Sequence, residues 1–132
     1  MATTTATITL NSADLTTDAL ALSKTATLTK AGTTTGVSET TGVGRKTTTA
    51  SSAVTIFAAA DYTDTRAHKI YVCNTSSTAT EFATLTIGTQ NVGLLYAGDW
   101  ALIPWDGTAD FKYTPSVATS CTLEYQLFID EA

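Results

Sequence analysis

Few residues in this chain could do chemistry, and they are widely spaced. His68 is the only histidine, so an acid–base or Ser-His-Asp site would have to be built around it. It stands beside Lys69 at the start of a strand-like run, which favours a structural or solvent-facing role. Because Cys73 and Cys121 are the only thiols, the ligands of a zinc site are also missing. We therefore expect no enzyme activity, no cofactor and no metal.

Two loop patterns resemble ligand sites only superficially. The acidic loops Asp61/Asp64 and Asp106/Asp110 could offer oxygen atoms to calcium. Each lacks the ligand density of a dedicated calcium loop, so we interpret them as solvated turn carboxylates. The glycine-containing run Gly42–Lys46 neither follows a buried strand nor opens a helix, as a phosphate-binding loop would. We expect no phosphate site there.

The stretch that must organise the fold runs from Ala83 to Trp105. It predicts three short strands, because apolar residues alternate with polar ones between clusters of Gly, Asp and Asn. Both tryptophans, Trp100 and Trp105, lie here, so we expect this stretch to form the heart of the core. Exposed indole rings could instead form a sugar platform, but an alternating strand favours core and core-edge positions.

The rest of the sequence predicts an all-β protein. Threonine is abundant and only 14% of the 132 residues are charged, which favours pleated, half-wet strands. Further strands are expected at Ser52–Ala58, at His68–Asn74, near Phe111 and in the last run, where Leu123, Tyr125 and Leu127 should form one wall of the core. About eight strands spaced about 8–12 residues apart are typical of an antiparallel β-sandwich of jelly-roll type.

The chain divides near residue 50. Large apolar residues are about half as dense before this point as after it. We assign residues 1–50 to an extended N-terminal arm with short added strands and a Gly/Thr-rich loop, and residues 51–132 to the β-sandwich. With so few apolar groups, the arm cannot offset the entropy of ordering its backbone by itself.

We therefore expect other chains to hold the arm. Strand addition would supply backbone hydrogen bonds without demanding particular side chains. The expected contacts are five apolar side chains and two basic ones, and the basic side chains should face acidic neighbours. They are Ile8, Leu10, Leu20, Leu22, Leu28, Arg45 and Lys46.

Charge and cysteine content narrow the classes of partner and the compartment. The net charge of -5 argues against nucleic acid, which is bound by stripes of Lys and Arg. No run is long enough to cross a membrane, and the first residues lack the features of a signal peptide. Two cysteines within strand-like runs predict reduced thiols, as expected for a chain made in a reducing cytoplasm.

Three blocks of this sequence resemble small virion structural proteins of tailed phages, especially those infecting cyanobacteria. They are TTGVGRKTT (Thr40 to Thr48), LLYAGDWALIPWDG (Leu94 to Gly107) and LEYQLFIDEA (Leu123 to Ala132). The resemblance covers most of the chain. It implies an arm joined to a β-sandwich, and a capsid decoration or cement protein on the virion surface. The implied partners are the major capsid protein and neighbouring copies in a homo-oligomer, with a trimer favoured.

Two alternatives stay open. A tail, neck or baseplate component would share the sandwich and the arm. A receptor- or carbohydrate-binding module would use Trp100, Trp105, Tyr96 and the acidic loops. Solvent exposure separates the last class from the others, because a sugar binder needs open ring faces whereas a cement protein can bury both tryptophans.

Overall fold

The computed structural model describes residues 3–15, 17–118 and 120–130. Within them the protein is all-β with antiparallel sheets, which confirms that part of the predicted fold class, and Ala59–Asp61 forms a single 3₁₀ turn. The strands in this part of the chain are β1 (Thr5–Ser12), β2 (Leu20–Thr27), β3 (Glu39–Thr40), β4 (Gly44–Thr47), β5 (Val54–Phe57), β6 (His68–Asn74), β7 (Phe82–Ile87), β8 (Gln90–Tyr96), β9 (Trp100–Trp105), β10 (Phe111–Pro115) and β11 (Thr122–Ile129). None of the described segments forms a helix of the length and apolarity that crossing a membrane requires.

The strands form two larger sheets and one small one. The four-stranded sheet has the order β5-β10-β7-β8, and the five-stranded sheet has the order β3-β11-β6-β9, with β4 also pairing with β11. Strands β1 and β2 pair with each other as a separate hairpin. The two larger sheets share one core, an arrangement compatible with a β-sandwich. The core side chains come from both: Phe57, Leu85 and Phe111 from one sheet, and Ile70, Leu123 and Leu127 from the other.

Strand β11 lies at the centre of the five-stranded sheet. It pairs with β6 on one side and with β3 and β4 on the other. Leu123 and Leu127 are fully buried, and Tyr125 packs against them in the core. This confirms the predicted wall, because alternate residues of a strand share one face.

The two tryptophans lie on opposite faces of β9. Trp105 is 2% exposed and its Nε1 donates a hydrogen bond of 2.8 Å to Ala109 O, whereas Trp100 is 53% exposed. The prediction that both contribute to the core is therefore wrong for Trp100. The physical reason is the five-residue separation, because an odd offset in an extended strand places two side chains on opposite faces. Trp100 instead shares the outer face with Leu102.

The first fifty residues do not behave as one unit. Glu39–Thr40 and Gly44–Thr47, assigned to the arm above, pair with β11 of the same chain. Gly44 leaves room there for the Tyr125 ring, which would lie 2.7 Å from a Cβ atom at this position. The run Gly42–Lys46 is thus mostly strand rather than loop. Among the described strands, β1 and β2 pair with neither larger sheet.

Both cysteines are free thiols, as predicted. Cys121 is buried in the core and Cys73 is half-buried on the outer face of β6. Burial, and then the charge of Glu81, raises the pKa of the Cys121 thiol. A buried thiol with a raised pKa is a poor nucleophile, so Cys121 has a packing role.

Candidate functional site

The hairpin has one apolar face and one threonine face. Its register sets Ile8 opposite Lys24 and Leu10 opposite Leu22, and directly opposed residues lie on the same face. On the other face, the hydroxyls of Thr7 and Thr25 are hydrogen-bonded at 2.8 Å. The apolar face carries Ala6, Ile8, Leu10, Leu20, Leu22 and Ala26, together with Lys24.

Most of this apolar face is open to solvent. Ile8 is 40% exposed, Leu10 is 46% and Leu22 is 37%. A two-stranded hairpin is marginally stable alone and normally packs against another layer. The hairpin therefore presents a surface that suits contact with another protein.

Facing the hairpin is the edge strand β9, and a groove of about 850 Å³ separates the two. We call it the hairpin groove. The hairpin wall is mainly apolar, and the opposite wall includes the exposed Trp100 ring. The lining residues are Ala6, Thr7, Ile8, Leu10, Lys24, Thr25 and Ala26 on the hairpin, and Leu95, Gly98, Asp99, Trp100, Ala101 and Leu102 opposite.

The base of the hairpin is anchored over the outer face of the five-stranded sheet. Leu28 is buried there, beside a small recess that Tyr71, Leu102 and Phe128 also line. The Leu28 N–H donates to Thr4 O at 2.8 Å, and Leu28 O accepts from the Val37 N–H at 2.9 Å. The hairpin is therefore tied down at its base while its apolar face stays open.

Strand β8 also exposes large apolar side chains. The exposed apolar side chains on this strand are Val92, Leu94 and Tyr96. The centroid of the Tyr96 ring lies 5.2 Å from that of the Phe82 ring. Strands β8 and β9 each end their sheet in the described topology, so each offers backbone groups along one side. Among the described residues, all other exposed large apolar side chains are Leu15, Val43 and Val117. A concentration of this kind marks an interaction site.

The predicted arm contacts separate into two places. Ile8, Leu10, Leu20 and Leu22 lie together on the apolar face of the hairpin, and Leu28 is buried at its base. The two basic residues lie elsewhere, because β4 and β9 are at opposite edges of the five-stranded sheet. Lys46 is exposed and its carbonyl accepts from the Tyr113 hydroxyl at 3.0 Å.

Arg45 has its acidic neighbour within the same chain. Its Nη2 lies 2.7 Å from Glu124 Oε2, and its Nε donates to the same oxygen at 2.9 Å. Because the Arg45 side chain is 67% exposed, this surface ion pair contributes little stability.

His68 is fully buried and both of its ring nitrogens have partners. Nδ1 accepts from the Asp130 N–H at 2.9 Å, and Nε2 lies 2.9 Å from Thr63 O. These partners assign the neutral ring with the proton on Nε2. The ring also lies against Trp105, with centroids 5.5 Å apart. With both nitrogens committed to backbone groups, the imidazole has a structural role here.

Asp130 is a buried carboxylate just beyond the end of the last strand. The strand ends at Ile129, and Asp130 is 1% exposed. Its carboxylate accepts from the Ala67 N–H at 2.9 Å and from the Ala31 N–H at 3.2 Å. Alternation could not reveal this, because it holds only while the chain remains in the strand.

A second buried polar cluster surrounds Asn74. Its Nδ2 donates to Leu95 O at 3.0 Å, and its Oδ1 accepts from the Ser76 N–H at 3.0 Å. Nearby, Glu81 accepts from the hydroxyls of Ser120 and Ser76, and these bonds, that of Ser120 first, lower the pKa of its carboxyl. Charged and amide groups that find partners in this way hold turns together. The alternation of apolar and polar residues does not predict this cluster either.

The acidic loops use their carboxylates to hold local backbone. Asp110 Oδ1 accepts from the Ala59 N–H at 2.9 Å. Asp106 accepts from the N–H and hydroxyl of Thr108, which lowers the pKa of its carboxyl. Within residues 3–15, 17–118 and 120–130, no three His, Cys, Asp or Glu side chains come together as metal ligands would.

Comparison of the chain with protein-family models, curated proteins and solved structures found no match. The functional interpretation therefore depends on the apolar face of the hairpin and on the hairpin groove. Chemically, this surface offers apolar contact, one exposed aromatic ring at Trp100, and one charge of each sign at Lys24 and Asp99. It is suited to binding another macromolecular surface.

Proposed function

We propose that this chain is a non-enzymatic virion structural protein, a capsid decoration or cement protein that stabilises the shell by bridging capsid subunits. The observation that carries the proposal is the hairpin of β1 and β2. It pairs with neither larger sheet in the described chain, and its apolar face is exposed. Such an element needs a partner surface to become stable.

The strand order supports a jelly-roll form of the sandwich. From β4 onward, the sheet orders are β4-β11-β6-β9 and β5-β10-β7-β8. This order fits an eight-stranded jelly roll, in which two Greek keys are wound across two sheets. Viral capsid proteins and lectins are among the proteins built on this architecture. As a fold-level analogy it favours a virion role without assigning one.

The partner that fits this role is the major capsid protein. Its surface would meet the hairpin through Ile8, Leu10 and Leu22, and an extended capsid segment could add to the edge of β1, β2, β8 or β9. The net charge of -5 would keep the free protein soluble before it attaches. A tail, neck or baseplate position would use the same hairpin and differs only in where the protein lies on the particle.

A receptor- or carbohydrate-binding module is the second candidate. Exposure of Trp100 and Tyr96 near Asp99 favours it, since a sugar ring can stack on an open aromatic face. Trp105 is buried and could not take part. If this module is the function, Trp100→Ala should abolish retention on a glycan array while Leu10→Glu leaves it intact.

The position of the protein on virus particles tests the main proposal. Virions released from a host that carries the gene would be labelled with gold-conjugated antibodies against this chain and imaged by electron microscopy. We expect many labels distributed over the head. Labels confined to the tail or neck would show that the protein is a tail, neck or baseplate component and not a cement protein. Unlabelled particles that still package DNA would overturn the proposal.

A further inference from the structure

We propose that the hairpin groove is a self-association site, and that its occupant is the hairpin of a second copy of this chain. This inference rests on the proposed structural role and names the partner that covers the hairpin face in the free protein, before a capsid surface takes its place. It concerns contacts between purified copies, so it can be tested without a capsid.

The surfaces on the two sides of the groove are complementary and belong to one chain. The hairpin contributes Ile8 and Leu10, and the opposite wall contributes Trp100 and Leu102. All four side chains are exposed, although they face the same groove. Because every copy carries both surfaces, two copies can cover each other's apolar groups twice around a twofold axis.

Charge within the groove favours the same pairing. Lys24 is the one charged residue in β1 and β2, and it lies on the apolar face opposite Ile8. Asp99 is the one acidic residue among those that line the groove. When the hairpin of one copy lies on the groove of the other, the ammonium group approaches this carboxylate. An apolar contact with one complementary charge pair gives orientation as well as affinity.

The area available is sufficient for a specific interface. Eight-residue strands, at about 3.4 Å per residue and about 4.8 Å apart, give the hairpin a face of about 27 by 10 Å. Each contact buries this area on both of the surfaces that meet, so the two contacts of a twofold dimer bury about 1,100 Å² in total. A specific interface is expected to bury at least about 1,000 Å². The association should therefore be measurable and reversible.

The anchored base of the hairpin makes the contact less costly. Leu28 is buried, and the Ala31 N–H is held by the Asp130 carboxylate. The hairpin is thus positioned before a second copy arrives, so less conformational entropy is lost on binding.

Matched substitutions on the two faces of β1 test the interface. Leu10→Glu places a charge on the apolar face, and Thr9→Glu places the same charge on the threonine face one position away. By sedimentation velocity across a concentration series, we expect the full chain and Thr9→Glu to associate equally. Leu10→Glu should weaken association by at least about a hundredfold, because it buries an unpaired charge. A full chain that stays monomeric, or equal losses from both variants, would overturn the inference.

Mixed cross-linking shows which copy supplies the hairpin. Two full-length chains in a Cys73→Ser background, one with Ile8→Cys and one with Leu102→Cys, would be mixed and oxidised. We expect a disulfide-linked heterodimer by mass spectrometry. A third chain that carries both Ile8→Cys and Leu102→Cys would be oxidised alone. If a disulfide forms only within this chain and not between the two singly substituted chains, the groove is closed by its own hairpin and the inference fails.

The two proposals fail in different ways. A chain that stays monomeric in solution yet decorates virus heads removes the self-association site and leaves the cement role intact. A chain that associates through the groove but is absent from particles supports the site and removes the role.

Discussion

At the residue scale, buried polar side chains tie loops to the ends of strands. Asp130 connects the end of β11 to Ala31 and Ala67, and His68 connects β6 to Thr63. Every buried side-chain nitrogen and oxygen in the described residues has a hydrogen-bond partner. Since an unpaired buried polar group costs about 1–3 kcal/mol, these residues are as constrained as the apolar core.

The core residue Leu127 provides a direct test of the β11 wall. It is fully buried between the sheets, so Leu127→Ala should lower the free energy of unfolding by about 2–5 kcal/mol through lost contacts and a cavity. Urea unfolding followed by circular dichroism measures this. Gln126→Ala, on the opposite face of the same strand, loses only the hydrogen bond that Gln126 Nε2 donates to Thr40 Oγ1, so it should cost no more than about 0.5–1.5 kcal/mol. Similar losses for both variants would show that the face is misassigned.

Glu81 should make stability depend on pH in the acid range. Hydrogen bonds from Ser120 and Ser76 lower the pKa of its carboxyl below the ordinary value of 4.5, so folding favours the ionised form. The stabilisation is complete above the unfolded pKa and is lost as the pH falls through the lowered folded pKa.

Urea midpoints measured between pH 7 and pH 3 would report this loss. Glu81→Gln should flatten the acid part of the profile. Glu39→Gln, at an exposed position in β3, should leave it unchanged. A profile that is the same for wild type and Glu81→Gln would contradict the prediction.

At the element scale, the sequence predicted strands well and their partners poorly. Alternation located β6, β7, β9 and β11, because a half-buried strand must alternate. It missed the two-residue strand β3, which is too short to show a period. It also could not reveal that β1 pairs with β2 across the intervening loop, since pairing is decided by distant contacts.

The candidate site was predictable only as a set of residues. Ile8, Leu10 and Leu22 were expected to contact another chain, and they share one exposed face. The hairpin groove was not foreseeable, because it depends on how the hairpin lies against β9 in three dimensions. The odd separation of Trp100 and Trp105 in one strand could have predicted that only one of the two rings is buried. The exposed ring, Trp100, lies on the β9 side of the groove.

Truncation separates the hairpin from the sheets. A chain starting at Leu28 loses β1 and β2 but keeps the anchor and β3 and β4, so it should retain a cooperative melt while losing self-association and attachment to particles. A chain starting at Thr47 also loses most of β4 and uncovers one side of β11. It should melt at a lower temperature than the longer truncate. Calorimetry would measure the two melting temperatures. If they are equal, β3 and β4 add nothing to the stability of the sheet.

At the scale of the whole molecule, stability and interaction occupy different regions. The core between the two larger sheets holds Trp105, Phe111 and Leu123. The exposed apolar groups lie mainly on the hairpin and on β8 and β9. This separation means that substitutions in the hairpin groove can weaken binding without unfolding the protein, which is the property that makes the site testable.

Tryptophan accessibility reports on the whole assembly. Trp105 is buried in the monomer and Trp100 is 53% exposed in the groove. When a second copy covers the groove, acrylamide should quench the Trp100 fluorescence less and the emission should shift to shorter wavelength as concentration rises. Leu10→Glu should keep the monomer's quenching at every concentration, and Thr9→Glu should follow the wild type. In Trp100→Phe, only Trp105 reports, so no concentration dependence should remain. Oligomers that form while Trp100 stays as accessible as in the monomer would place the contact elsewhere on the surface.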